Sequence, residues 1–173
     1  MGTITLITGG ARSGKSMQAL KLALPYQRKF FVATGEPLDD EMTARIQFHR
    51  TTRPPVFQTF EEPIQVVAAL EKVGENADLV VLDCLTLWIS NLMEWNRKDD
   101  SPVLAEADKL AAALKRASFA SIVVTDEVGS GIVPTDHAES RRFRDLLGWT
   151  NQKVAAVADH VLLIVAGYPL SVK

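Results

Sequence analysis

The chain has 173 residues and a formal net charge of −2. Apolar residues make up 47% and charged residues 23%, a globular composition that excludes a chain disordered throughout. The slight negative charge excludes a dedicated nucleic-acid-binding protein, and the length predicts one domain over residues 1–173.

Strands and helices alternate in the first part of the chain. An apolar, β-branched run at residues 4–8 predicts a buried strand, and residues 17–24 predict the helix that follows it. Residues 30–34 predict a second strand. Residues 39–50 have helical spacing and begin with two aspartates, which stabilise a helix N-terminus.

The alternation continues to the last strand. Residues 63–73 predict a helix, and residues 79–82 and 122–125 predict short strands that are apolar throughout, as in sheets covered on both faces. Residues 138–158 predict a long helix, and residues 161–165 predict a last strand. This order indicates an α/β fold around a mostly parallel sheet.

One segment between these elements is predicted to be a loop. Residues 96–102 are charged and rich in turn-forming residues, which predicts a surface loop rather than a domain boundary.

A phosphate-binding motif follows the first predicted strand. Residues 9–16, GGARSGKS, satisfy the pattern G-x-x-x-x-G-K-[ST]. Glycines allow the backbone N–H groups to point at phosphate oxygens, and the following helix N-terminus adds its dipole. Lys15 is expected to reach the β- and γ-phosphates, and the Ser16 hydroxyl to bind Mg²⁺.

Acidic residues end two of the predicted strands. Asp83 follows residues 79–82 and is the candidate second ligand of Mg²⁺; the alternative is that it caps the helix starting near Leu85. Asp126 and Glu127 end another strand and are expected at the same edge of the sheet. Alternatively, Asp126 and Glu127 only form a turn before Gly129 and have no role in the site.

His49 is the candidate nucleophile. Helical spacing puts it on one stripe with Met42, Arg45 and Ile46, which by itself is typical of a core or surface histidine. Arg50 and Arg53 follow it, and two arginines beside a nucleophile can neutralise a triphosphate. The spacing leaves both interpretations open.

The sequence also bears on disulfide bonds, zinc sites and the cellular location of the protein. Cys84 is the only cysteine, which excludes an intrachain disulfide and a cysteine-rich zinc site. The first residues carry no basic region of a signal peptide, and the longest uncharged apolar run, residues 161–172, is too short to span a membrane. We therefore expect a cytoplasmic protein without a membrane span.

Several segments resemble a known family. They are GGARSGKS, VATGEPLDDEMTARIQFHRTTRP, TFEEP, LDCLTLWISNL, EVGSGIVP and RRFRDLLGWTNQKVAAVAD. Together they resemble the bifunctional adenosylcobinamide kinase/adenosylcobinamide-phosphate guanylyltransferase of cobalamin biosynthesis. The resemblance covers nearly the whole chain in order, except residues 96–118. GGARSGKS is shared with many families, whereas DDEMTARIQFHRTTRP and EVGSGIVP are far more specific.

The resemblance implies two reactions. The enzyme phosphorylates adenosylcobinamide with a nucleoside triphosphate, then transfers GMP from GTP to adenosylcobinamide phosphate and releases pyrophosphate. GTP and ATP are the implied substrates, Mg²⁺ the implied cofactor and a guanylylated His49 the implied intermediate. The implied fold is a P-loop NTPase of the RecA-like, three-layer α/β type, and relatives resemble homotrimers.

The resemblance also implies a set of site residues. His49 and Lys15 are the implied catalytic residues, and Ser16 and Asp83 the implied Mg²⁺ ligands. The implied nucleotide-binding residues are Gly9, Gly10, Ala11, Arg12, Ser13, Gly14, Lys15, Ser16, Ala33, Thr34, Gly35, Arg50, Thr51, Thr52, Arg53, Glu61 and Asp83.

Two positions depart from the family pattern, and one cluster is ambiguous. Asp126 stands where asparagine is more common, and Phe57 stands where tryptophan is usual. A carboxylate at position 126 is expected to bind Mg²⁺, point away from the phosphates or be protonated. Arg141, Arg142 and Arg144 could meet a substrate phosphate or a neighbouring subunit, but a solvated helix face is the simpler interpretation.

Two other functions remain open. One is a P-loop small-molecule kinase in which His49 is structural and guanylylation is absent. The other is a regulatory module that binds GTP without group transfer. His49 with its flanking arginines favours the bifunctional enzyme over the single-activity kinase. The presence of Lys15, Ser16 and Asp83 together argues against the regulatory module.

Overall fold

The computed structural model describes residues 1–97, 99–131 and 137–173, and within them seven strands form one sheet. The strands are β1 (Ile4–Gly9), β2 (Lys29–Ala33), β3 (Phe57–Glu61), β4 (Leu79–Asp83), β5 (Ala120–Val124), β6 (His160–Val165) and β7 (Tyr168–Ser171). The helices are α1 (Lys15–Ala23), α2 (Asp40–Thr52), α3 (Val66–Gly74), α4 (Leu85–Trp95), α5 (Ser101–Arg116) and α6 (Ala138–Val157). The end of the EVGSGIVP segment, residues 132–134, lies outside the described residues.

The strand order is β3-β2-β4-β5-β1-β6-β7, and each neighbouring pair is parallel except β6 and β7. Alternate residues of β4 enter two separate cores, because successive strand side chains point to opposite faces. Val80 and Leu82 pack with α3, α4, α5 and α6, whereas Leu79 and Val81 pack with α1. The predicted α/β fold with a mostly parallel sheet is therefore confirmed.

Three elements were not predicted from the sequence. They are β3, β7 and α5. The loop predicted at residues 96–102 is wrong at its end, because Ser101 already opens α5, with a proline in its first turn. The helix predicted from residue 63 begins at Val66, since the Glu62 carboxylate accepts from the N–H groups of Ile64 and Gln65 and forms a turn there.

The arginines of α6 are not all on a solvated face. The side chain of Arg142 is only 22% exposed; it pairs with Asp100 at 2.5 Å and donates to the carbonyl of Asn96 at 2.8 Å. Arg144 pairs with Asp145. The solvated-face interpretation therefore fails for Arg142, which fastens the segment between α4 and α5 to α6.

The sheet brings the candidate residues to one edge. In the register, Ala33 lies opposite Asp83, Asp83 opposite Val124, and Val124 opposite Ile7. Because these strands are parallel, the segments that follow them all leave the sheet at its carboxyl edge, where ligands bind in open α/β sheets. Within the described residues, no helix is long and apolar enough to cross a membrane.

Candidate active site

The phosphate loop requires glycine at its two ends. Gly9 has φ 152° and Gly14 has φ 103°, in the region that disfavours residues with a side chain. A Cβ at Gly9 would also lie 2.5 Å from the carbonyl oxygen of Ile164 on β6. The loop therefore packs tightly against β6 where it leaves β1, and α1 begins directly at Lys15.

Lys15 is buried at the base of this loop. Its Nζ donates to the carbonyl oxygens of Gly9 at 3.0 Å and Gly10 at 2.7 Å, and it lies 2.6 Å from Oδ1 of Asp126. Asp126 thus reaches the expected edge of the sheet. Its pairing with Lys15 is an arrangement that sequence reasoning missed.

Glu127 forms part of a turn before Gly129, which is the alternative that the sequence left open for it. Its carboxylate accepts from the N–H groups of Gly129 at 2.8 Å and Ser130 at 3.1 Å, and so stabilises the turn predicted at this point. Two adjacent acidic residues therefore have different surroundings.

Asp83 lies beside the first helical turn of α1. The Ser16 hydroxyl donates to Asp83 Oδ2 at 3.2 Å. Burial raises the pKa of Asp83, while the Ser16 hydrogen bond and the nearby guanidinium of Arg53 lower it. Asp83 does not cap α4: the N-cap is Cys84, whose Sγ accepts from the N–H of Leu87.

Ser16 and Asp83 suit Mg²⁺. Both offer hard oxygen ligands on one side of the cleft. Among the described residues, no group of three or more histidine, cysteine, aspartate or glutamate side chains could hold a metal ion. Mg²⁺ usually keeps several waters and binds one or two protein oxygens plus substrate phosphates, so this small donor set fits it.

His49 lies near the end of α2. The helix begins where the Asp39 side chain accepts from the N–H of Met42 at 2.7 Å, as its sequence predicts. His49 is half-buried and lies on the cleft wall with Met42 and Ile46, outside the hydrophobic core. The stripe predicted from the spacing therefore faces the cleft.

The two arginines after His49 are held differently. Arg50 pairs with Glu61, with Nε 2.7 Å from the carboxylate. The guanidinium of Arg53 lies 3.5 Å from the ring centroid of Phe31 and donates to the Thr59 hydroxyl at 2.8 Å. Burial lowers the pKa of Arg53, although the carboxylates of Asp83 and Glu61 oppose this effect.

Three predicted nucleotide-binding threonines have other partners. The Thr34 hydroxyl is buried, where it donates to the carbonyl of Cys84 and accepts from its N–H, tying β2 to β4. The hydroxyls of Thr51 and Thr52 donate to carbonyl oxygens of α2. These side chains are not among the described residues that line the cleft.

A single cleft of about 670 Å³ joins the phosphate loop to α2. Of the predicted residues, its walls contain Arg12, Ser13, Gly14, Lys15, Ser16, Ala33, Gly35, His49, Arg50, Arg53, Glu61 and Asp83. Sequence reasoning missed Phe31 and Leu87, which also line it. Their only signal is apolarity, which also describes core residues.

The family model described as CobU, cobinamide kinase / cobinamide phosphate guanyltransferase, matches residues 5–172. The chain belongs to this family. It is 37% identical to the bifunctional adenosylcobalamin biosynthesis protein CobU of Escherichia coli, with 97% of this chain and 98% of that protein covered. CobP of Pseudomonas aeruginosa is 38% identical, with 97% and 96% covered. CobU of Salmonella typhimurium is 36% identical, with 97% and 98% covered.

Solved structures agree with the fold of this CobU-family chain. The RadB recombinase has a TM-score of 0.52 at 19% identity, covering 94% of this chain and 74% of that one. An ATPase from a type III secretion system of pathogenic bacteria has a TM-score of 0.60 at 13% identity, covering 99% and 57%. These likenesses confirm the predicted α/β P-loop fold.

Proposed function

We propose that residues 1–173 form one kinase and guanylyltransferase domain. It phosphorylates adenosylcobinamide with ATP or GTP, then transfers GMP from GTP to adenosylcobinamide phosphate, giving adenosylcobinamide-GDP and pyrophosphate. The observation that carries the proposal is that the phosphate loop and His49 line the same cleft. Family membership supports both activities.

The phosphate loop holds the triphosphate. Its N–H groups, together with the N-terminus of α1, bind the phosphate oxygens, and Lys15 contacts the β- and γ-phosphates. Ser16 and Asp83 would hold Mg²⁺, which when bound offsets phosphate charge. In the kinase reaction, the substrate hydroxyl oxygen bonds to the γ-phosphorus and the bond from that phosphorus to the β-phosphate oxygen breaks. The nucleoside diphosphate leaves, and the hydroxyl proton passes to solvent water.

His49 carries the GMP in the second reaction. A neutral imidazole nitrogen attacks the α-phosphorus of GTP, so an N–P bond forms while the bond to pyrophosphate breaks. A phosphate oxygen of adenosylcobinamide phosphate then attacks the same phosphorus, breaks the N–P bond and restores the imidazole. Arg50 and Arg53 lie beside His49 and supply positive charge for the departing pyrophosphate.

The test is the mass of the intact protein after incubation with GTP and Mg²⁺. We expect wild type to gain one GMP, which mild acid removes as it does from a phosphoramidate, and His49→Ala to gain none. His160→Ala is the matched control, because His160 is exposed at the start of β6. It is expected to gain GMP like wild type.

The kinase assay separates the alternatives. His49→Ala is expected to keep phosphorylating adenosylcobinamide, which also shows that it folds. Wild type that phosphorylates but never gains GMP would point to the single-activity kinase. Nucleotide binding without either transfer would point to the regulatory module.

The proposal includes an assembly and a location. The resemblance supports a homotrimer, and the use of nucleoside triphosphates supports a cytoplasmic enzyme that binds adenosylcobinamide and its phosphate. Light scattering on the purified chain tests the trimer, since it measures the mass directly. A mass of one chain would contradict it.

A further inference from the structure

The ammonium group of Lys15 has three protein oxygens close to it, two as hydrogen-bond acceptors and one as the partner of an ion pair. An ammonium group has three donors and no acceptor. In this structure its neighbours are the carbonyl oxygens of Gly9 and Gly10 and the carboxylate of Asp126. An anionic phosphate oxygen that approaches Lys15 therefore competes with the carboxylate of Asp126, because the two carbonyl oxygens are neutral and Asp126 carries the charge.

This ion pair is shielded from water. The side chain of Lys15 is 10% exposed and that of Asp126 is 27% exposed. By comparison, the side chains of Lys109 and Glu106 in their pair on α5 are 64% and 30% exposed. Water and salt screen a sheltered ion pair less than an exposed one. When a phosphate replaces Asp126 as the partner of Lys15, the free energy of this sheltered pair is therefore lost and lowers the net affinity for the phosphate.

The backbone at Asp126 is anchored from two helices. Its N–H donates to the Thr86 hydroxyl of α4 at 2.9 Å, and its carbonyl oxygen accepts from the Asn151 amide of α6 at 3.2 Å. Asn151 in turn accepts from the Thr125 hydroxyl at 2.7 Å. The carboxylate therefore stays within reach of Lys15 unless its own side chain rotates.

We propose that Asp126 is a positioning residue that competes with nucleotide phosphates for Lys15, and so weakens the hold of the cleft on triphosphates and on its phosphate-bearing products. The inference rests on the proposed function only in that the phosphate loop binds nucleotides. A carboxylate that recaptures Lys15 favours product departure, which every turnover of both reactions requires.

The test replaces the charge while keeping the shape. We expect Asp126→Asn to bind α,β-methylene-GTP in Mg²⁺ buffer about tenfold more tightly than wild type, measured by calorimetry on the full chain. This analogue cannot transfer GMP, so His49 stays unmodified. Glu127→Gln is the matched control, because it makes the same charge change one residue away, where the carboxylate holds a turn. Its dissociation constant is expected to stay within about twofold of wild type.

A second background shows whether Asp126 acts through Lys15. In Lys15→Ala, the added Asp126→Asn change is expected to alter the dissociation constant by less than about twofold. Equal tightening in both backgrounds would mean that Asp126 repels the phosphates directly, and would overturn the proposal. In kinase assays of Asp126→Asn, the KM for the triphosphate is expected to fall, with a smaller change in kcat.

The remaining outcomes are also decisive. Unchanged or weaker binding by Asp126→Asn overturns the inference, as does equal tightening by Glu127→Gln. If Asp126→Asn does not fold, Asp126→Ser supplies the same neutral comparison with a shorter side chain. Wild type that binds no analogue overturns the proposed function itself, a result that is distinguishable from failure of the inference alone.

Discussion

The two walls of the cleft are built in opposite ways. The phosphate wall (Gly14, Lys15, Ser16, Asp83 and Asp126) lies at the carboxyl ends of β1, β4 and β5, and the side chains of these strands pack in both cores. The histidine wall (Met42, Ile46, His49 and Arg50) lies on α2, a fully described helix without a single buried residue.

This difference predicts that mutations in the two walls affect different properties of the protein: stability in the phosphate wall and activity in the histidine wall. The phosphate wall is positioned by the same burial that stabilises the fold, so changes beneath it lower the free energy of unfolding. The histidine wall is held by a few polar contacts, such as the pair between Arg50 and Glu61. Such a segment opens locally at a lower free energy than the core, so changes in it are expected to affect activity more than stability.

The largest expected effect is that of Lys15→Ala. If both walls serve one nucleotide, kinase activity and GMP addition to His49 both fall by about 100-fold or more, because each uses the charge of Lys15 on the phosphates. Product assays and intact mass measure the two activities. Lys21→Ala, in the exposed last turn of α1, is the control. Loss of one activity alone would mean that the walls serve separate nucleotide sites.

The second prediction compares burial under the two walls. Leu82→Ala, in the core directly before Asp83, is expected to lower the free energy of unfolding by about 2–5 kcal/mol. Ile46→Ala on α2 is expected to lower it by less than about 1.5 kcal/mol, since this side chain is half-buried. Urea unfolding measures both. Equal losses would contradict the contrast between the walls.

A smaller effect is expected where the histidine wall meets the sheet. Arg53→Lys loses the planar stacking on Phe31, and GMP addition to His49 is expected to slow about tenfold while the unfolding midpoint changes little. Rapid-quench measurement of the adduct gives the rate. Arg116→Lys, exposed at the end of α5, is the control. An unchanged rate for Arg53→Lys would remove Arg53 from the chemistry.

The smallest effect is expected at the opposite edge of the sheet, away from both walls. Hydrogen bonds from Arg28 lower the pKa of Asp78, so this pair stabilises the fold above the pKa of an unfolded aspartate. That stability is lost as the pH falls through the lowered pKa. Asp78→Asn is therefore expected to be slightly less stable than wild type at neutral pH and equal to it in strong acid. Urea unfolding across this range checks the sign, and a difference that persists in acid would contradict it.

The sequence was informative wherever burial is continuous along a strand. Strands β1, β4 and β5 are mostly apolar and mostly buried, and the sequence predicts them within two residues of their bounds. Strands β3 and β7 were missed, because they lie at the sheet edges and expose most of their side chains. The buried residues of α5 recur at helical spacing, from Val103 to Leu114, so the sequence does contain a periodic signal for this helix.

The site was predictable where it is contiguous in the chain. The phosphate loop is recognisable because one short segment supplies the glycines, Lys15 and Ser16. The pair between Lys15 and Asp126 depends on β5 lying beside β1, and alternating apolar runs do not specify strand order. The stacking of Arg53 on Phe31 depends on how α2 returns to β3, which spacing within α2 cannot give.

The pairing of β1 also bears on how the chain is made. Its two neighbours, β5 and β6, are supplied by residues 120–124 and 160–165, so β1 leaves the ribosome well before either of the strands it pairs with. Contacts so distant in sequence slow folding, because a long loop must close before they form. During synthesis the phosphate loop therefore lacks its native supports until residues 120–165 have emerged, and nucleotide binding reports that both neighbouring strands have joined the sheet.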